Sequence, residues 1–443
     1  MKVDLNKIEN FKKQFGIVKT VKFKRGKKMD KKTLVNIQLL IKSLFQDGEL
    51  DHRELLEVDK LKKIGDNVFE MVETLLPSHN DRLILDEYRS YIQKCLRRSI
   101  KITSPKYSKK EIQSIKDQIS YLKTIPQPEQ RTPEWYTFRN NRLTASDLGT
   151  VMGVNPYEVY NKVIQKKCGL EMPFVMNKFI KRGVKYEDVI IAIYSLRNKV
   201  KVFEYGCVPH PTLEHFGASP DGIVDSESEN QQLVGRMLEI KCPGGRPITG
   251  LCPEYYYCQV QGQLEVCDLE YCDFVECKIA DYESKTDYFD DYYRNSEGEI
   301  DYRYSGSGLE KGSVIEAFDS IKGKEVYWYV PIGLTYEQQF EYEKNILEKE
   351  IEPQDHLEYL TTTYWKATEY HELLIQRKKD WFREVCVPKI NQFWSDVEHY
   401  RTRPQEEIEA LVKVNKKKPE STLEKFVTPN KTLFLSDSDE DSD

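Results

Sequence analysis

Between residues 33 and 100, apolar side chains recur every three or four positions, which is the spacing of amphipathic helices. Three stretches have this pattern, at 34–45, 55–75 and 83–96. The polar segments 47–49 and 77–80 separate them and contain the Gly and Pro residues typical of turns. The pattern predicts a mostly helical N-terminal domain over residues 1–125.

The pattern changes after a segment with three prolines, at 126–133, which is typical of a linker. Helical spacing is found at 156–168 and 177–197. Short apolar runs typical of strands occur at 200–208, 218–224, 237–242 and 271–279. This mixture predicts a domain of the α/β (α+β) class over residues 134–400.

The second half of that domain is less regular. Residues 281–312 are rich in Asp, Tyr, Ser and Gly, which indicates a mobile loop within an insertion at about 281–360. A strand at 326–330 and a helix at 335–349 are expected there, followed by a strand at 364–376 and an amphipathic helix at 379–399. Residues 401–443 form a predicted C-terminal extension, which ends in a disordered acidic tail at 436–443.

Charge is distributed unevenly along the chain. The 443 residues include 67 Lys and Arg and 73 Asp and Glu, for a net charge of -6. Residues 1–125 nevertheless carry 28 basic and 17 acidic side chains, a net charge of +11. Such a region can bind nucleic-acid phosphates, and its alternative roles are a solvated arm or a protein-docking domain. The acidic average therefore does not exclude a nucleic-acid partner.

No apolar run reaches the roughly 18 residues of a membrane-spanning helix, and the first residues resemble no secretory signal. The chain has 10 cysteines, which without such a signal are typical of reduced thiols inside a cell. We therefore expect a soluble intracellular protein, which would act in the host cytoplasm or nucleus if it is viral.

Two segments can bring acidic and basic side chains together. Pro220-Asp221-Gly222 follows an apolar run, and Glu239-Ile240-Lys241 lies in a strand-like one. Side chains alternate along a strand, so Glu239 and Lys241 share one face. Carboxylates with a backbone carbonyl such as that of Ile240 suit Mg²⁺ or Mn²⁺, and the lysine can orient or deprotonate water. The pattern indicates a nuclease site, and its alternative is a structural ion pair.

These residues resemble the PD-(D/E)xK nuclease core, in particular its lambda-exonuclease and YqaJ-like viral recombinase branch. Other segments of the chain share the resemblance: 135–139 with 143–146, 181–187, 258–264, and 377–382 followed by Phe393 and Trp394. The resemblance implies a restriction-endonuclease-like core, with a mixed central sheet flanked by helices. The N-terminal domain and the insertion have no counterpart in the shorter phage enzymes, which leaves a ring-shaped trimer in doubt.

The resemblance also implies roles for individual residues. Asp221, Glu239 and the Ile240 carbonyl would hold a metal, Lys241 would be the catalytic lysine, and Glu187 would complete a site for two Mg²⁺ or Mn²⁺ ions. A pocket for a 5′-terminal phosphate would be formed by Arg139, Ser146, Ser219 and Gln259. Arg offers phosphate a two-pronged donor, and hydroxyl and amide groups serve the remaining oxygens. The alternatives are a carboxylate partner for Arg139, a helix cap for Ser146, an exposed position for Glu187 and a backbone bridge for Gln259.

The function implied by the resemblance is a metal-dependent exonuclease on double-stranded DNA. It would cut 5′ to 3′ and leave 3′ overhangs for recombination, together with a single-strand annealing protein. The alternatives are an endonuclease or RNA-degrading alkaline nuclease, and a non-catalytic nucleic-acid-binding module. No membrane partner is expected, and the oligomeric state stays open.

Overall fold

A computed structural model describes residues 37–42, 64–70, 88–89, 91–92, 95, 104–128, 130, 132–170 and 178–411. Every described residue between positions 37 and 95 is helical. The basic segment 1–32 and the predicted acidic tail 436–443 lie outside the described residues. Among the helices that the structure describes, none is long and apolar enough to cross a membrane.

Helix α1 (Lys109–Thr124) begins with a capping box. The Ser108 hydroxyl accepts from the amide of Glu111, and the Glu111 carboxylate accepts from the amide of Ser108 at 2.8 Å. The inner face of α1 buries Ile119 and Leu122 in the core of the following domain. The predicted division at residue 125 stays a prediction, but α1 itself packs against the domain that follows.

A mixed sheet of seven strands forms the centre of the described structure. From one edge to the other, its strands are β11 (Lys324–Tyr329), β10 (Lys311–Asp319), β12 (Leu357–Gln376), β7 (Tyr271–Asp281), β6 (Met237–Lys241), β5 (Gly222–Val224) and β2 (Val202–Phe203). Strands β6 and β7 run parallel, and the other described neighbours in this sheet run antiparallel. The chain passes from β6 to β7 through a helix, as parallel neighbours require.

Smaller sheets and helices surround the central sheet. The order in a three-stranded sheet is β1 (Leu143–Thr144), β4 (Phe216–Ala218) and β3 (Val208–Pro209), and β8 (Tyr293–Arg294) pairs with β9 (Ile300–Asp301). The helices are α2 (Pro133–Asn140), α3 (Ala145–Val151), α4 (Tyr160–Lys167), α5 (Lys178–Asn198), α6 (Glu254–Cys267), α7 (Lys285–Asp290), α8 (Tyr336–Ile346), α9 (Lys379–Trp381), α10 (Val387–Arg401) and α11 (Gln405–Ala410). The predicted α/β class, with a mixed central sheet flanked by helices, is confirmed.

The two faces of β6 contribute to different hydrophobic cores. Leu238 and Ile240 pack with Ile190 and Ile193 of α5 on one side of the sheet. Met237, on the other face, belongs to a larger core that includes side chains of α3, α6 and α10. Because side chains alternate along the strand, Glu239 and Lys241 lie on the α6 side. The fold therefore directs both polar side chains of β6 toward one helix.

The structure differs from the sequence prediction in the region 281–360. The expected loop at 281–312 contains α7 and the β8–β9 pair, and β10 begins at Lys311. Strand β10 is buried along most of its length, yet Ser313, Glu316 and Asp319 interrupt its apolar pattern. These polar side chains are buried because they have hydrogen-bond partners, which the sequence pattern does not show. The region adds two strands to the central sheet.

Two predicted strands are each divided into shorter ones. The run at 200–208 contributes β2 to the central sheet and β3 to the smaller sheet, and the run at 218–224 separates into β4 and β5. Gly206 lies in the first break, where a Cβ atom would lie 2.1 Å from the carbonyl oxygen of Pro128. Pro220 and Asp221 occupy the second break. This second break places Asp221 at the start of β5.

Candidate active site

Asp221 and Glu239 meet where β5 pairs with β6. The amide of Ile240 donates to Asp221 Oδ2 at 2.7 Å, which ties the residue before β5 to the neighbouring strand. The Glu239 side chain is fully buried on the face of β6 that is directed toward α6. Both acidic residues of the predicted pair are therefore brought to one end of the β5–β6 hairpin.

Helix α6 supplies hydrogen-bond donors to Glu239. Gln259 donates to Glu239 Oε1 at 2.8 Å, and Gln263 donates to Oε2 at 2.7 Å. Sequence reasoning missed Gln263, although its spacing of one helical turn from Gln259 could have indicated it. The structure thus places Gln259 at the acidic cluster, while its predicted contact with a terminal phosphate stays a prediction.

The acidic cluster concentrates negative charge at the fully buried Glu239 and the half-buried Asp221. Burial raises the pKa of Asp221 well above its ordinary value, and repulsion from Glu239 raises it further. The charge of Glu187, a half-buried residue of α5, raises the pKa of Asp221 as well. Lys241 and the Ile240 amide partly offset these effects. Such an arrangement favours a bound cation.

Lys241 provides one positive charge within the cluster. Its ammonium group donates to Glu239 Oε1 and lies 4.7 Å from the centre of the Tyr256 ring. Burial alone would lower the pKa of Lys241, but the charges of Glu239 and Asp221 outweigh it and raise that pKa. Lys241 therefore stays protonated in this arrangement, which suits a donor to water or phosphate better than a general base.

The donor atoms fit a hard divalent cation. Asp221, Glu239 and the Ile240 carbonyl offer oxygen ligands, and Mg²⁺ is commonly held by one or two carboxylates while it keeps several waters. Among the described residues, no group of three or more His, Cys, Asp and Glu side chains is arranged to hold a metal ion. One ion on two carboxylates is compatible with this finding, and the second ion with Glu187 stays a prediction.

A second cluster of donors lies close to the first. The guanidinium of Arg139 donates to Ser219 Oγ at 3.2 Å and to Ser146 Oγ at 3.0 Å. It also lies 4.2 Å from the centre of the Trp135 ring. Three of the four predicted pocket residues are therefore in direct contact. Ser219 precedes Asp221 by two positions, so the pocket adjoins the acidic cluster.

Arg139 keeps its charge available to a ligand. It forms no salt bridge with any carboxylate in the described part of the chain, and Asp147 pairs with Lys166 and Lys167 instead. Thr144, rather than Ser146, occupies the N-cap position of helix α3, although its side chain forms no capping hydrogen bond. The structure thus leaves the arginine and the Ser146 hydroxyl facing one another at the start of that helix.

A buried ion pair of Asp147 and Lys167 contacts the backbone and side chains that form the pocket. Asp147 Oδ2 accepts from the Thr144 hydroxyl at 3.0 Å and lies 3.2 Å from Lys167 Nζ. Lys167 also donates to the carbonyl of Arg139 at 2.9 Å. Burial alone would raise the pKa of Asp147, but Lys167 and Lys166 outweigh it and hold that pKa well below its ordinary value. These residues were not predicted, because their roles arise from three-dimensional contacts.

Comparison with known sequences assigns this region to a family. A family model described as YqaJ-like viral recombinase domain matches residues 134–270. This part of the chain is therefore similar to YqaJ-like viral recombinase domains. All the predicted site residues lie within the matched range, from Arg139 to Gln259. The resemblance inferred from the sequence motifs is thus confirmed.

Similar sequences occur in two viruses. The uncharacterized protein R354 of Acanthamoeba polyphaga mimivirus is 34% identical over 345 residues, which cover 72% of this chain and 61% of that protein. A protein of African swine fever virus (strain Badajoz 1971 Vero-adapted) is 26% identical over 160 residues, covering 31% of this chain and 46% of the viral protein. The chain thus spans about three-fifths of the length of the mimivirus protein and less than half of the length of the African swine fever virus protein.

Two solved structures are also similar. LHK-Exo in complex with dAMP has a TM-score of 0.33 and 19% identity, covering 64% of this chain and 97% of that chain. A second structure, described as an alkaline exonuclease (LHK-Exo) from Laribacter hongkongensis, has a TM-score of 0.32 at the same identity and coverage.

Proposed function

We propose that this protein is a metal-dependent exonuclease that hydrolyses phosphodiester bonds of double-stranded DNA from 5′ ends. The observation that carries the proposal is that two clusters of different chemistry lie side by side, with Gln263 donating both to the Ser219 carbonyl and to Glu239. One holds buried carboxylates beside Lys241, and the other holds Arg139 with hydroxyl groups. The short connection through Ser219 and Asp221 joins them. The YqaJ-like domain supports the same conclusion.

The first cluster is suited to the chemical step. A divalent metal ion, when bound by Asp221, Glu239 and the Ile240 carbonyl, would stabilise charge on the phosphodiester and lower the pKa of water. Lys241 would hold the attacking water or a phosphate oxygen through its ammonium protons. Gln259 and Gln263 would keep the Glu239 carboxylate in one orientation, because each donates to a different oxygen of it. Mg²⁺ and Mn²⁺ are the proposed cofactors.

The second cluster is suited to the end of a DNA strand. A 5′-terminal phosphate carries more negative charge than an internal phosphodiester, so it gains more from the guanidinium of Arg139. Hydroxyl groups of Ser146, Ser219 and Thr144 would satisfy its oxygens. Anchoring the end beside the acidic cluster would align a bond near that end for cleavage. Successive cuts would leave a 3′ overhang, which a single-strand annealing protein can use for recombination.

Digestion of end-labelled linear duplexes tests this proposal. With Mg²⁺, we expect early release of a 5′ label, slower digestion of duplexes with dephosphorylated 5′ ends, and no cleavage of a closed circle. Arg139→Ala should abolish the difference between phosphorylated and dephosphorylated ends. Arg142→Ala is the matched control, because the Arg142 guanidinium lies over the Phe138 ring at 3.8 Å and donates to the Phe138 carbonyl.

A different result would contradict each part of the proposal. Cleavage of the closed circle would indicate an endonuclease. Equal rates on phosphorylated and dephosphorylated ends would contradict the phosphate pocket, and faster digestion of an RNA duplex would contradict the choice of DNA.

A further inference from the structure

Helix α5, which carries Glu187, is connected to the region 281–360 by charged side chains. Three basic residues of the helix pair with glutamates of that region: Lys181 with Glu325 at 2.6 Å, Lys185 with Glu316 at 2.5 Å, and Arg197 with Glu310 at 2.6 Å. Glu316 and Glu325 lie on β10 and β11, and Glu310 immediately precedes β10. The helix is therefore held against β10, which the sequence pattern did not predict, and against β11 beside it.

The middle pair differs from its neighbours in burial. The Lys185 and Glu316 side chains are 11% and 8% exposed, whereas the Lys181 and Glu325 side chains are 50% and 27% exposed. Thr363 of β12 completes the arrangement, because its hydroxyl accepts from Lys185 at 2.8 Å and donates to Glu316. Buried charges are tolerated when every group has a partner, and breaking such a pair is costly. The Lys185–Glu316 pair therefore strongly constrains where α5 can lie.

The constraint bears directly on Glu187. Lys185 and Glu187 are two positions apart, so their side chains leave the helix about 200° apart. Lys185 points at β10 and β12, and Glu187 leaves the opposite side of the helix, one turn before Ile190, which packs in one core with Leu238 and Ile240 of β6. A rotation of the helix that released Lys185 would also turn Glu187 away from the acidic cluster.

We propose that Lys185 and Glu316 are positioning residues, whose buried pair holds α5 in the rotation that presents Glu187 to the acidic cluster. The region 281–360 then contributes to the site through β10, which lies three strands away from β6 in the central sheet. The inference rests on the proposed function, since it gives Glu187 a part in metal binding.

Mn²⁺ affinity, measured without DNA by electron paramagnetic resonance, is the direct test. Glu316→Gln should weaken Mn²⁺ binding on the order of tenfold, as loss of a supporting partner typically does. The same variant should lower kcat for DNA digestion with little change in KM. In combination with Glu187→Gln, it should cause no further loss, because both changes would remove the same contribution. Glu325→Gln is the matched control and should behave as the wild type, since its ion pair is exposed.

A paired variant guards against a folding defect. Lys185→Met combined with Glu316→Gln leaves no unpaired charge at the position, and it should show the same loss of Mn²⁺ affinity. Independent losses in the Glu187→Gln and Glu316→Gln combination would overturn the inference. So would a Glu316→Gln variant that binds Mn²⁺ as tightly as Glu325→Gln does. If the wild type binds Mn²⁺ but digests no DNA, the proposed function fails while the positioning test still stands.

Discussion

At the scale of residues, the sequence motifs identify the groups that touch one another but not the groups that support them. Asp221, Glu239 and Lys241 could be predicted because their order along two strands, which alone also fits a structural ion pair, is shared with the family that the other motifs resemble. Arg139, Ser146 and Ser219 were predicted from the family resemblance, and the structure brings them into contact. Their metal-binding and phosphate-binding roles stay predictions.

Asp147 shows what sequence reasoning cannot supply. It lies at the start of a short helix, where an acidic residue is common for local reasons. Its burial and its two lysine partners depend on the packing of α4 against α3. Nothing in the sequence pattern distinguishes it from an exposed aspartate.

We predict that Asp147→Asn destabilises the protein at pH 7 by about 3–5 kcal/mol, because Lys167 would lose its buried partner. The pKa of Asp147 is depressed in the folded state. Its contribution is therefore present above the unfolded pKa of about 4 and is lost as the pH falls below that value. The stability difference between wild type and variant should narrow by roughly 1.4 kcal/mol per pH unit below about 4.

Urea unfolding from pH 7 to pH 3 measures this difference. Asp117→Asn is a suitable control, since Asp117 is exposed on α1 and accepts from Gln113 of the same helix. A stability difference that stays constant over this pH range would contradict the assignment.

At the scale of elements, the close packing of α3 on α6 connects the phosphate pocket to the acidic cluster. A Cβ atom at Gly149 of α3 would lie 2.7 Å from the Cα and Cβ atoms of Tyr255 on α6. Helix α3 carries Ser146, and α6 carries Gln259 and Gln263, so the two helices set the distance between the clusters. Such an approach could not be read from the sequence, which shows only a glycine near a helix end.

We predict that Gly149→Ala pushes the two helices apart and costs about 1–3 kcal/mol of stability, as overpacking typically does. It should also reduce the preference for 5′-phosphorylated ends, because Ser146 would move relative to Glu239. Thermal unfolding and the digestion assay with phosphorylated and dephosphorylated ends provide the two measurements.

Gly183→Ala is the control for stability. A Cβ atom at Gly183 of α5 would meet nothing within 4 Å, so this change should raise the free energy of unfolding by up to about 1 kcal/mol. A Gly149→Ala variant as stable as the wild type would contradict the close packing.

At the scale of the whole molecule, the sequence predicted the central domain better than its surroundings. The strands β6 and β7 and the helices α5 and α10 follow their predicted patterns, because each has one clear apolar face or a continuous apolar run. Strand β10 escaped prediction, because its polar side chains are paired in the interior. The region 281–360 consequently belongs to the central sheet, where a mobile loop was expected for part of it.

The acidic and basic residues of the chain would have separate roles in this account. The net charge of -6 includes Glu187, Asp221 and Glu239, which would have to be negative to hold a metal ion. The basic residues of segment 1–32 lie outside the described structure, and their proposed contact with DNA stays a prediction. An acidic average therefore remains compatible with a DNA-cleaving enzyme.

The central claim is that the cluster of Asp221, Glu239 and Lys241 cleaves DNA. The most direct measurement is the release of nucleotides from a linear duplex with and without Mg²⁺, for the wild type and for Asp221→Ala and Lys241→Ala. We predict that the wild type digests the duplex only when Mg²⁺ is present. Both variants should lose this digestion and largely keep their DNA binding. A wild type that digests nothing with Mg²⁺ or Mn²⁺, or variants with full activity, would contradict the account.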